Sequence, residues 1–322
     1  MKKVFLIIMT AVMVVACQNN KSELEEVQTS ELRTRTCATD KILQEKIKKN
    51  PALSARMSNL ETLSKTNLLQ THNKQNQKYK ISVVVNVLYN TPDENISDEQ
   101  IQSQIDVLNQ DFNALNSDYS LVPTIFSNVK ANVGLTFELD KIIRVYTPNK
   151  IWENYDEMKK AASGGINPTS PGTKLNMWVC KLGKLGGPYP VLGYAQFPGD
   201  DVSTDGVVIT TNAFGLSKKP PFDLGRTATH EVGHWLNLRH IWGDEFCGDD
   251  MIADTPKHDD QNAGVPQYPH YSKCPASPIE MTMNYMDYCD DIALYMFTND
   301  QKKRMLSALR TPGSRASYAV IK

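Results

Sequence analysis

THEVGHWLNLRH, residues 229 to 240, is the stretch from which we interpret the rest of the sequence. In a helix of 3.6 residues per turn, residues four apart share a face and lie about 6 Å apart along the axis, so His230 and His234 can bind one metal ion. Glu231 projects beside them, where its carboxylate suits a water bound to that ion rather than the ion itself. Alone, HExxH is a moderate signal, because a charged surface helix can contain it by chance.

His240 can be a third ligand only if the helix ends before it. In a continuous helix His240 would lie about 15 Å beyond His230, at about 1.5 Å rise per residue, whereas Zn–N bonds are about 2.0–2.1 Å long. A sharp turn requires a left-handed residue, a conformation that Gly adopts most readily and Asn next. We therefore predict that the chain turns at Asn237. Gly233 costs about 1 kcal/mol relative to Ala inside a helix, which indicates that another group approaches the backbone there.

Three neutral histidines indicate a catalytic rather than a structural zinc site, because they leave one tetrahedral position open for water. The metal lowers the pKa of that water toward about 7, and Glu231 can accept its proton and pass it to the leaving amine. The predicted reaction is hydrolysis of peptide bonds without a covalent intermediate.

The composition excludes a polyanionic partner. The chain has 322 residues, with 35 basic and 36 acidic side chains and a net charge of −1. No global field would attract nucleic acid or an anionic membrane. Hydrophobic residues make up 40% of the chain, which is typical of a folded globular protein. We expect protein or peptide substrates and no nucleic-acid partner.

Residues 1–17 have the features of an export signal. Two lysines precede an apolar run, residues 4–16, which is too short to span a bilayer of about 30 Å as a helix. The run ends in VVAC, which resembles a bacterial lipoprotein box, where cleavage before Cys17 leaves a lipidated N-terminus. An ordinary secretory signal is the alternative. We expect an exported protein, anchored at the cell surface through a lipid on Cys17 or secreted.

Residues 18–78 differ in composition from the rest of the chain. They are charged and amide-rich, and their apolar residues suffice only for short amphipathic helices such as 41–49. Such a segment cannot build a core of its own. A linker is one interpretation, but the position after the signal favours a propeptide. We therefore predict a propeptide at 18–78 and a catalytic domain at 79–322.

From Tyr79 the pattern indicates a compact α/β domain. The β-branched run 81–90 predicts a strand, and a capping box at Ser97 begins an amphipathic helix. The metal motif lies on a second long helix. This order of strands and helices predicts a mixed α/β sheet. Further strands are predicted at 133–139, 142–146, 174–182 and 205–211, and a short helix near 151–162; the apolar stripe of the first helix comprises Ile101, Ile105, Leu108, Phe112 and Leu115.

Several of these segments resemble one known clan. HEVGHWLNLRH resembles the extended zinc signature of the metzincins, HExxHxxGxxH, with Asn237 in the glycine position, and NYMDY (284–288) resembles their Met-turn. The stretches TATHEVGHWLNLRHIWGD, GDDMIADTP and MNYMDYCDD are similar to the pappalysin family, particularly its bacterial cytophagalysin-like members. The resemblance extends over residues 80 to 310 and is sharpest from 226 to 305.

The resemblance implies a two-lobed α+β catalytic domain. The N-terminal lobe, 79–240, would hold a twisted mixed sheet and two long helices, and the irregular C-terminal lobe, 241–322, the Met-turn and a C-terminal helix. Zinc would lie at the bottom of the cleft between the lobes, above Met286. Tyr288 matches a tyrosine that in the family can donate a hydrogen bond to the tetrahedral intermediate. A core tyrosine is the alternative.

The resemblance also implies a mechanism of latency. RTRTC, residues 33–37, resembles the family's cysteine-switch segment, in which a propeptide thiolate occupies the open zinc position and keeps the zymogen inactive. Thiolate is a good zinc ligand, so Cys37 is a candidate ligand in the proform. A disulfide partner or a free thiol is the alternative.

The four remaining cysteines allow three disulfide pairings. In family members a disulfide fixes the loop after the zinc helix, and the resemblance therefore implies a Cys247–Cys274 disulfide. Cys180 and Cys289 then remain as the second pair. The chain departs from the family after the Met-turn, where DDIA (290–293) stands in place of a common cysteine.

The loop 244–260 carries seven carboxylates, for which a solvated acidic loop is the simplest interpretation. The resemblance implies calcium nearby, with Asp254 in the matching segment, and oxygen ligands suit calcium. No EF-hand spacing is present. His72, His258 and His270 are expected to be exposed and away from the zinc.

Two function classes remain. The favoured one is a secreted or surface-anchored zinc endopeptidase made as a latent zymogen. The alternative is a noncatalytic metzincin-fold surface lipoprotein that binds a host or matrix protein. Glu231 favours the enzyme, because a binding protein needs no general base. A zinc amidase acting on a small molecule is a weaker third class.

Overall fold

The computed structural model describes residues 35–70, 78–153, 155–185 and 190–321. The expected signal peptide, Cys17 and His72 lie outside these ranges. The helices are α1 (Thr39–Lys49), α2 (Pro51–Gln70), α3 (Asp98–Asp111), α4 (Arg226–Trp235) and α5 (Asn299–Leu309). The strands are β1 (Tyr79–Tyr89), β2 (Leu135–Tyr146), β3 (Leu175–Cys180), β4 (Gly193–Ala195), β5 (Val207–Thr210) and β6 (Ala319–Ile321).

The described strands form one mixed sheet in the order β2-β1-β3-β5-β4, with β6 added antiparallel to β1. The pairs β2-β1, β1-β3 and β3-β5 are parallel, whereas β4 is antiparallel to β5 and lies at the edge. All six residues of β3 are buried, as expected for a parallel strand covered on both faces. The predicted mixed α/β class is confirmed.

Most predicted elements are present, but two predicted strands are one strand, and one predicted helix is wrong. The segments 133–139 and 142–146 belong to one strand, β2, whose pairing with β1 shifts register at Val83 and Val84. The short helix predicted near 151–162 is wrong. Two single 3-10 turns occur there, and Lys160 between them is extended, with φ −129° and ψ 119°, so no helix can continue through it.

Helix α3 has the predicted start and buried stripe. The Ser97 hydroxyl accepts the Gln100 N–H, and Ile101, Ile105, Leu108 and Phe112 are buried. The prediction that Leu115 completes the stripe is wrong, because its side chain is 72% exposed. Helix α3 ends at Asp111, and Ala114 is left-handed at φ 53°, so Leu115 no longer follows the helical repeat.

The buried apolar residues of the described ranges form two clusters, one on each face of the sheet. Met177 and Val179 of β3 belong to the first, together with α3 and α4, while Trp178 and Cys180 belong to the second. Successive side chains of a strand point to opposite faces. Cys289 belongs to the first cluster, so the predicted Cys180–Cys289 disulfide is wrong, and both cysteines are free.

The predicted Cys247–Cys274 disulfide is confirmed. It links two parts of the loop that follows α4, 27 residues apart in sequence. A covalent link of this kind stabilises a segment that has little regular secondary structure.

Residues 39–70 fold as two helices that pack on the rest of the protein. Ile42 of α1 and Leu53 of α2 are 4% and 0% exposed, and Ile42 belongs to the second apolar cluster. The amphipathic helix predicted at 41–49 is confirmed as α1. The segment uses the apolar surface of the domain instead of a core of its own. Among the helices of the described ranges, none has the length and apolar character needed to cross a membrane.

Candidate metal centre

Helix α4 is the platform of the site. All ten of its residues are buried, and Ala228, Val232 and Trp235 belong to the first apolar cluster. With this apolar face packed in the core, His230 and His234 project together at the end of the helix. Their Nε2 atoms lie 3.1 Å apart.

The chain turns at Asn237, as predicted. Its φ of 77° is left-handed, and the Leu238 N–H donates to the Gly233 carbonyl, which closes the helix end. The turn returns His240 to the helix, so that its Nε2 lies 3.1 Å from that of His234. Two nitrogens bound to one tetrahedral zinc at about 2.0–2.1 Å are about 3.3 Å apart. The three imidazoles therefore fit a single zinc ion.

Each imidazole is oriented through its Nδ1 atom. His230 Nδ1 lies 2.7 Å from the Tyr285 carbonyl oxygen, and His234 Nδ1 lies 2.8 Å from that of Leu238. His240 differs, because its Nδ1 lies 2.5 Å from Asp244 Oδ1. These acceptors place the proton on Nδ1 and leave each Nε2 lone pair for a metal.

Burial keeps His230 and His234 neutral. It lowers the pKa of His234 to about 3 and that of His230 well below its usual value. Neutral imidazole is the form that binds metal. The part played by Asp244 was missed by the sequence analysis, which counted it only among the loop carboxylates; its position four residues after His240 was the available signal.

Met286 explains the glycine inside the metal helix. A Cβ built on Gly233 would lie 2.5 Å from Met286 Sδ, so the Met-turn packs directly against the α4 backbone. The predicted close approach at Gly233 is confirmed. The Met286 carbonyl also accepts the Ile241 N–H, which joins the Met-turn to the segment after His240.

Glu231 lies between the metal helix and the edge strand β4. It is 1% exposed, and a Cβ on Gly193 would lie 3.0 Å from its Cγ, so the strand can approach only because Gly193 has no side chain. Burial raises the pKa of Glu231 to about 7. Its carboxylate accepts the Thr39 hydroxyl at 3.0 Å and lies 3.3 Å from Cys37 Sγ.

Cys37 reaches the three histidines from the segment before α1. Its Sγ and one nitrogen of each of the three imidazoles all lie within 4.8 Å of one another. The Cys37 N–H donates to the Tyr288 hydroxyl, which lies 3.2 Å away and 3.2 Å from the Cys37 carbonyl oxygen. The structure thus brings together every residue of the predicted zinc and catalytic set.

The segment around Cys37 runs beside β4 in the parallel direction. The Ala38 N–H donates to the Gly193 carbonyl, and the Leu192 N–H donates to the Thr36 carbonyl. Farther along β4, the Ala195 N–H donates to the Thr39 hydroxyl. The outward hydrogen-bonding groups of the edge strand are therefore covered by this segment.

Arg35 fills a buried pocket that the sequence analysis missed. Its guanidinium pairs with Asp291 Oδ1 at 2.5 Å, donates to the Thr227 hydroxyl and the Cys289 carbonyl, and lies 5.1 Å from the centre of the Phe222 ring. Backbone N–H groups of residues 224 and 226 donate to the other Asp291 oxygen, which fixes the carboxylate. The unusual acidic pair after the Met-turn was the available signal.

Asp254 lies away from the histidines. Its Oδ2 accepts the Asp300 N–H in the first turn of α5, at 2.9 Å. Within the described ranges, Cys37 and the three histidines form the only group of three or more His, Cys, Asp or Glu side chains close enough to share one ion. Calcium at Asp254 stays a prediction.

The expectation that His258 is exposed is wrong. It is 0% exposed, its Nε2 accepts the Met281 N–H, and its Nδ1 faces Glu280 and Asp287 at 3.7 and 3.6 Å. The loop that carries His258 folds back onto the Met-turn, which no local pattern indicates. His270 is partly rather than fully exposed: 42% of its side chain is accessible, and its Nε2 lies 3.8 Å from Glu280 Oε2.

Comparisons with known proteins agree with this geometry. A peptidase M43 family model described as "Pregnancy-associated plasma protein-A" matches residues 174–310. An extracellular metalloprotease of Arthroderma benhamiae is 31% identical over 240 residues, which cover 71% of this chain and 77% of that protein. Extracellular metalloprotease 1 of Coccidioides posadasii is 32% identical over 224 residues, which cover 67% and 70%.

Solved structures are similar over most of the chain. Tannerella forsythia mature mirolysin in complex with a cleaved peptide has 42% identity and a TM-score of 0.71, covering 75% of this chain and 95% of that one. A Tannerella forsythia promirolysin mutant has 38% identity and a TM-score of 0.79, covering 88% and 97%.

The turn at Asn237 allows a direct test of the third ligand. Asn237→Gly should bind zinc as the unchanged protein does, because Gly adopts a positive φ without strain. Asn237→Val should lower the zinc affinity at least about tenfold, because a β-branched residue at positive φ displaces the turn and His240 with it. Competition with a chelator, followed by metal analysis, measures both. Equal zinc affinity in the two variants would contradict this role of the turn.

Proposed function

The chain belongs to the pappalysin family of metzincin metallopeptidases, and we propose that His230, His234 and His240 bind its catalytic zinc with Glu231 as general base. It is an exported metallopeptidase that acts on proteins or peptides. The observation that carries the proposal is the convergence of three Nε2 atoms beside a buried glutamate.

The protein groups have separate tasks in peptide hydrolysis. When bound, zinc supplies a Lewis acid that polarises the scissile carbonyl and acidifies a water. Glu231, whose pKa burial beneath residues 37 and 39 raises to about 7 in this structure, would accept the water proton and return it to the leaving amine. Burial raises the pKa of Tyr288, so its phenol stays protonated and donates a hydrogen bond to the substrate oxygen as negative charge develops there.

Strand β4 is the surface that binds the substrate backbone. Its outward carbonyl at Gly193 and N–H at Ala195 pair here with residues 38 and 39. Once these residues leave, an extended peptide can add to the same edge as a further strand. This places the scissile bond beside Glu231, which packs against Gly193.

Residues 18–78 act as a propeptide that keeps the enzyme latent. Together with the three histidines, Cys37 would hold zinc as a thiolate and exclude the water that hydrolysis needs, and its neighbours cover β4. Cleavage within 64–80 would release the catalytic domain, 79–322, composed of an N-terminal lobe, 79–240, and a C-terminal lobe, 241–322. Residues 1–17 serve as a lipoprotein-type export signal that is cleaved before Cys17, whose lipid would anchor the uncleaved proform at the surface.

The Asp291 pocket selects basic side chains. Arg35 is 1% exposed and uses its charge and three hydrogen bonds there, although it belongs to the propeptide. A guanidinium or ammonium of the substrate can replace it after activation, because the carboxylate is already fixed by backbone N–H groups. We infer that the enzyme cleaves peptide bonds beside Arg or Lys.

Replacement of the general base tests the proposed reaction. In a protein beginning at residue 79, Glu231→Ala should bind zinc but hydrolyse a denatured protein about 1,000-fold more slowly or worse, because proton transfer is lost. Electrophoresis of the digest and metal analysis give both readouts. If the zinc-loaded unchanged protein and the variant are equally inert over diverse substrates, the noncatalytic binding protein becomes the better interpretation.

Cys37→Ala tests latency. The variant proform should hydrolyse peptides faster than the unchanged proform while mass spectrometry shows it uncut, because the open zinc position becomes accessible. With cobalt in place of zinc, the thiolate-to-cobalt charge-transfer absorption should disappear in the variant. An inactive, spectroscopically unchanged proform would contradict the switch.

Asp291→Asn tests the basic pocket. For two peptides that differ only in arginine or its uncharged analogue citrulline, the kcat/KM ratio should fall about 100-fold in this variant, because a buried ion pair is lost. Asp290→Asn removes the neighbouring carboxylate, which forms no described ion pair or hydrogen bond with Arg35, and should lower the ratio much less than Asp291→Asn does. A ratio that is unaffected by Asp291→Asn would exclude the pocket as the source of specificity.

A further inference from the structure

Besides Arg35, a second positively charged side chain of the segment before residue 79 pairs with carboxylates of the catalytic domain. This side chain is Lys46, and it lies away from the three histidines. The ammonium of Lys46 in α1 lies 3.0 Å from Asp156 Oδ2, 2.8 Å from Asp200 Oδ2 and 3.2 Å from Gln196 Oε1. An ammonium has three N–H donors, and the three oxygens match them. We call Asp156, Gln196 and Asp200 the ammonium cage.

The cage is built by the domain, and two of its three residues are held by contacts that do not involve Lys46. The other oxygen of Asp156 pairs with the buried Lys159 at 2.8 Å, and its backbone N–H donates to the Tyr194 hydroxyl. Gln196 accepts the Thr204 hydroxyl with the same oxygen that faces Lys46. These contacts do not involve α1, so Asp156 and Gln196 keep their positions when α1 leaves, and Asp200 completes the cage from the loop that follows β4.

The cage lies along the path of β4, at a distance that suits an extended substrate. Gln196 follows the last residue of β4 and is three residues beyond Gly193, or about 10 Å at 3.3 Å per residue. In α1, Lys46 is seven residues beyond Thr39, which contacts Glu231, and this also spans about 10 Å. The distance along β4 and the distance along α1 therefore agree at about 10 Å. In an extended substrate this corresponds to about three residues from the scissile bond.

Removal of α1 leaves the cage with uncompensated negative charge. Asp156 then keeps its ion pair with Lys159, and Asp200 loses the one it forms with Lys46. A cavity of about 740 Å³ lies between these residues and the α1–α2 segment, and its domain side is also lined by Glu153, Glu157 and Lys160. Departure of α1 opens this cavity on the side of the removed segment, where a long side chain can approach the cage. The Asp291 pocket lies at the other end of the path, because the segment runs from Arg35 past Cys37 to Lys46.

We propose that the ammonium cage is a second substrate subsite, which binds a Lys or Arg side chain on the side of the scissile bond opposite to the Asp291 pocket. This rests on the proposed peptidase function. The propeptide fills both subsites with its own cations, Arg35 and Lys46. A preferred substrate therefore carries two basic residues, separated by about three positions and flanking the bond that is cut.

The test uses the full chain after cleavage within 64–80 by an added protease, and peptides with an arginine for the Asp291 pocket. On the other side of the bond, lysine or the uncharged norleucine is placed two, three or four positions away. At one of these positions lysine should raise kcat/KM about tenfold over norleucine. Asp200→Asn should bring this ratio toward one, whereas Asp201→Asn, whose carboxylate instead accepts the Ser203 N–H, should preserve it.

Two results would overturn the proposal: equal kcat/KM for lysine and norleucine peptides at every position, or a lysine advantage that survives Asp200→Asn. Either would mean that the cage only anchors the propeptide. The first comparison needs no variant, so a folding defect of Asp200→Asn cannot obscure it. Binding of the same peptides to the Glu231→Ala protein, followed by fluorescence anisotropy, tests the cage without catalysis. A failure of the proposed hydrolysis is therefore distinguishable from a failure of the cage.

Discussion

The left-handed turn at Asn237 is the constraint on which the metal site depends. A continuous helix would carry His240 about 15 Å from His230. The turn instead brings their ring nitrogens together, and it is held by the Leu238 N–H on the Gly233 carbonyl and by Arg304 Nε, which donates to the Asn237 carbonyl at 2.6 Å. Because Met286 Sδ occupies the space that a side chain at position 233 would need, the helix end, the turn and the Met-turn fit together only as a unit.

The orientation of the three imidazoles depends on separate parts of the chain. Leu238, in the turn, holds His234, and Asp244 holds His240, but the acceptor for His230 is Tyr285, 55 residues away. Each acceptor fixes one Nδ1 proton, so the direction of the Nε2 lone pair follows from backbone carbonyls for His230 and His234 and from the Asp244 carboxylate for His240. Preorganisation of this kind reduces the reorganisation needed when a metal binds.

In the proposed zymogen, the propeptide contacts the surfaces that a substrate and the metal would use. Residues 36 to 39 cover β4, Cys37 faces the histidines, and Arg35 and Lys46 sit on carboxylates at the two ends of the path. Helix α2 adds a contact behind the site, where Glu61 forms a two-point ion pair with Arg304. Arg304 is the residue that supports the Asn237 carbonyl, so the propeptide also packs on the support of the turn.

Local patterns in the sequence were sufficient for the metal helix, the turn at Asn237, the close approach at Gly233 and the start of α3. These features depend on residues within one or two turns of each other, where the 3.6-residue repeat and the backbone preferences of Gly and Asn set the geometry. The strands β4 and β6 were missed because three residues show no measurable alternation. The Asp291 pocket, the role of Asp244, the burial of His258 and the free state of Cys180 and Cys289 came only from the folded chain. Some of these features depend on which segments meet in space, as Arg35 and Asp291 do although they are 256 residues apart in sequence. Others depend on which face of the sheet a residue occupies. The periodicity of a sequence contains no information on either.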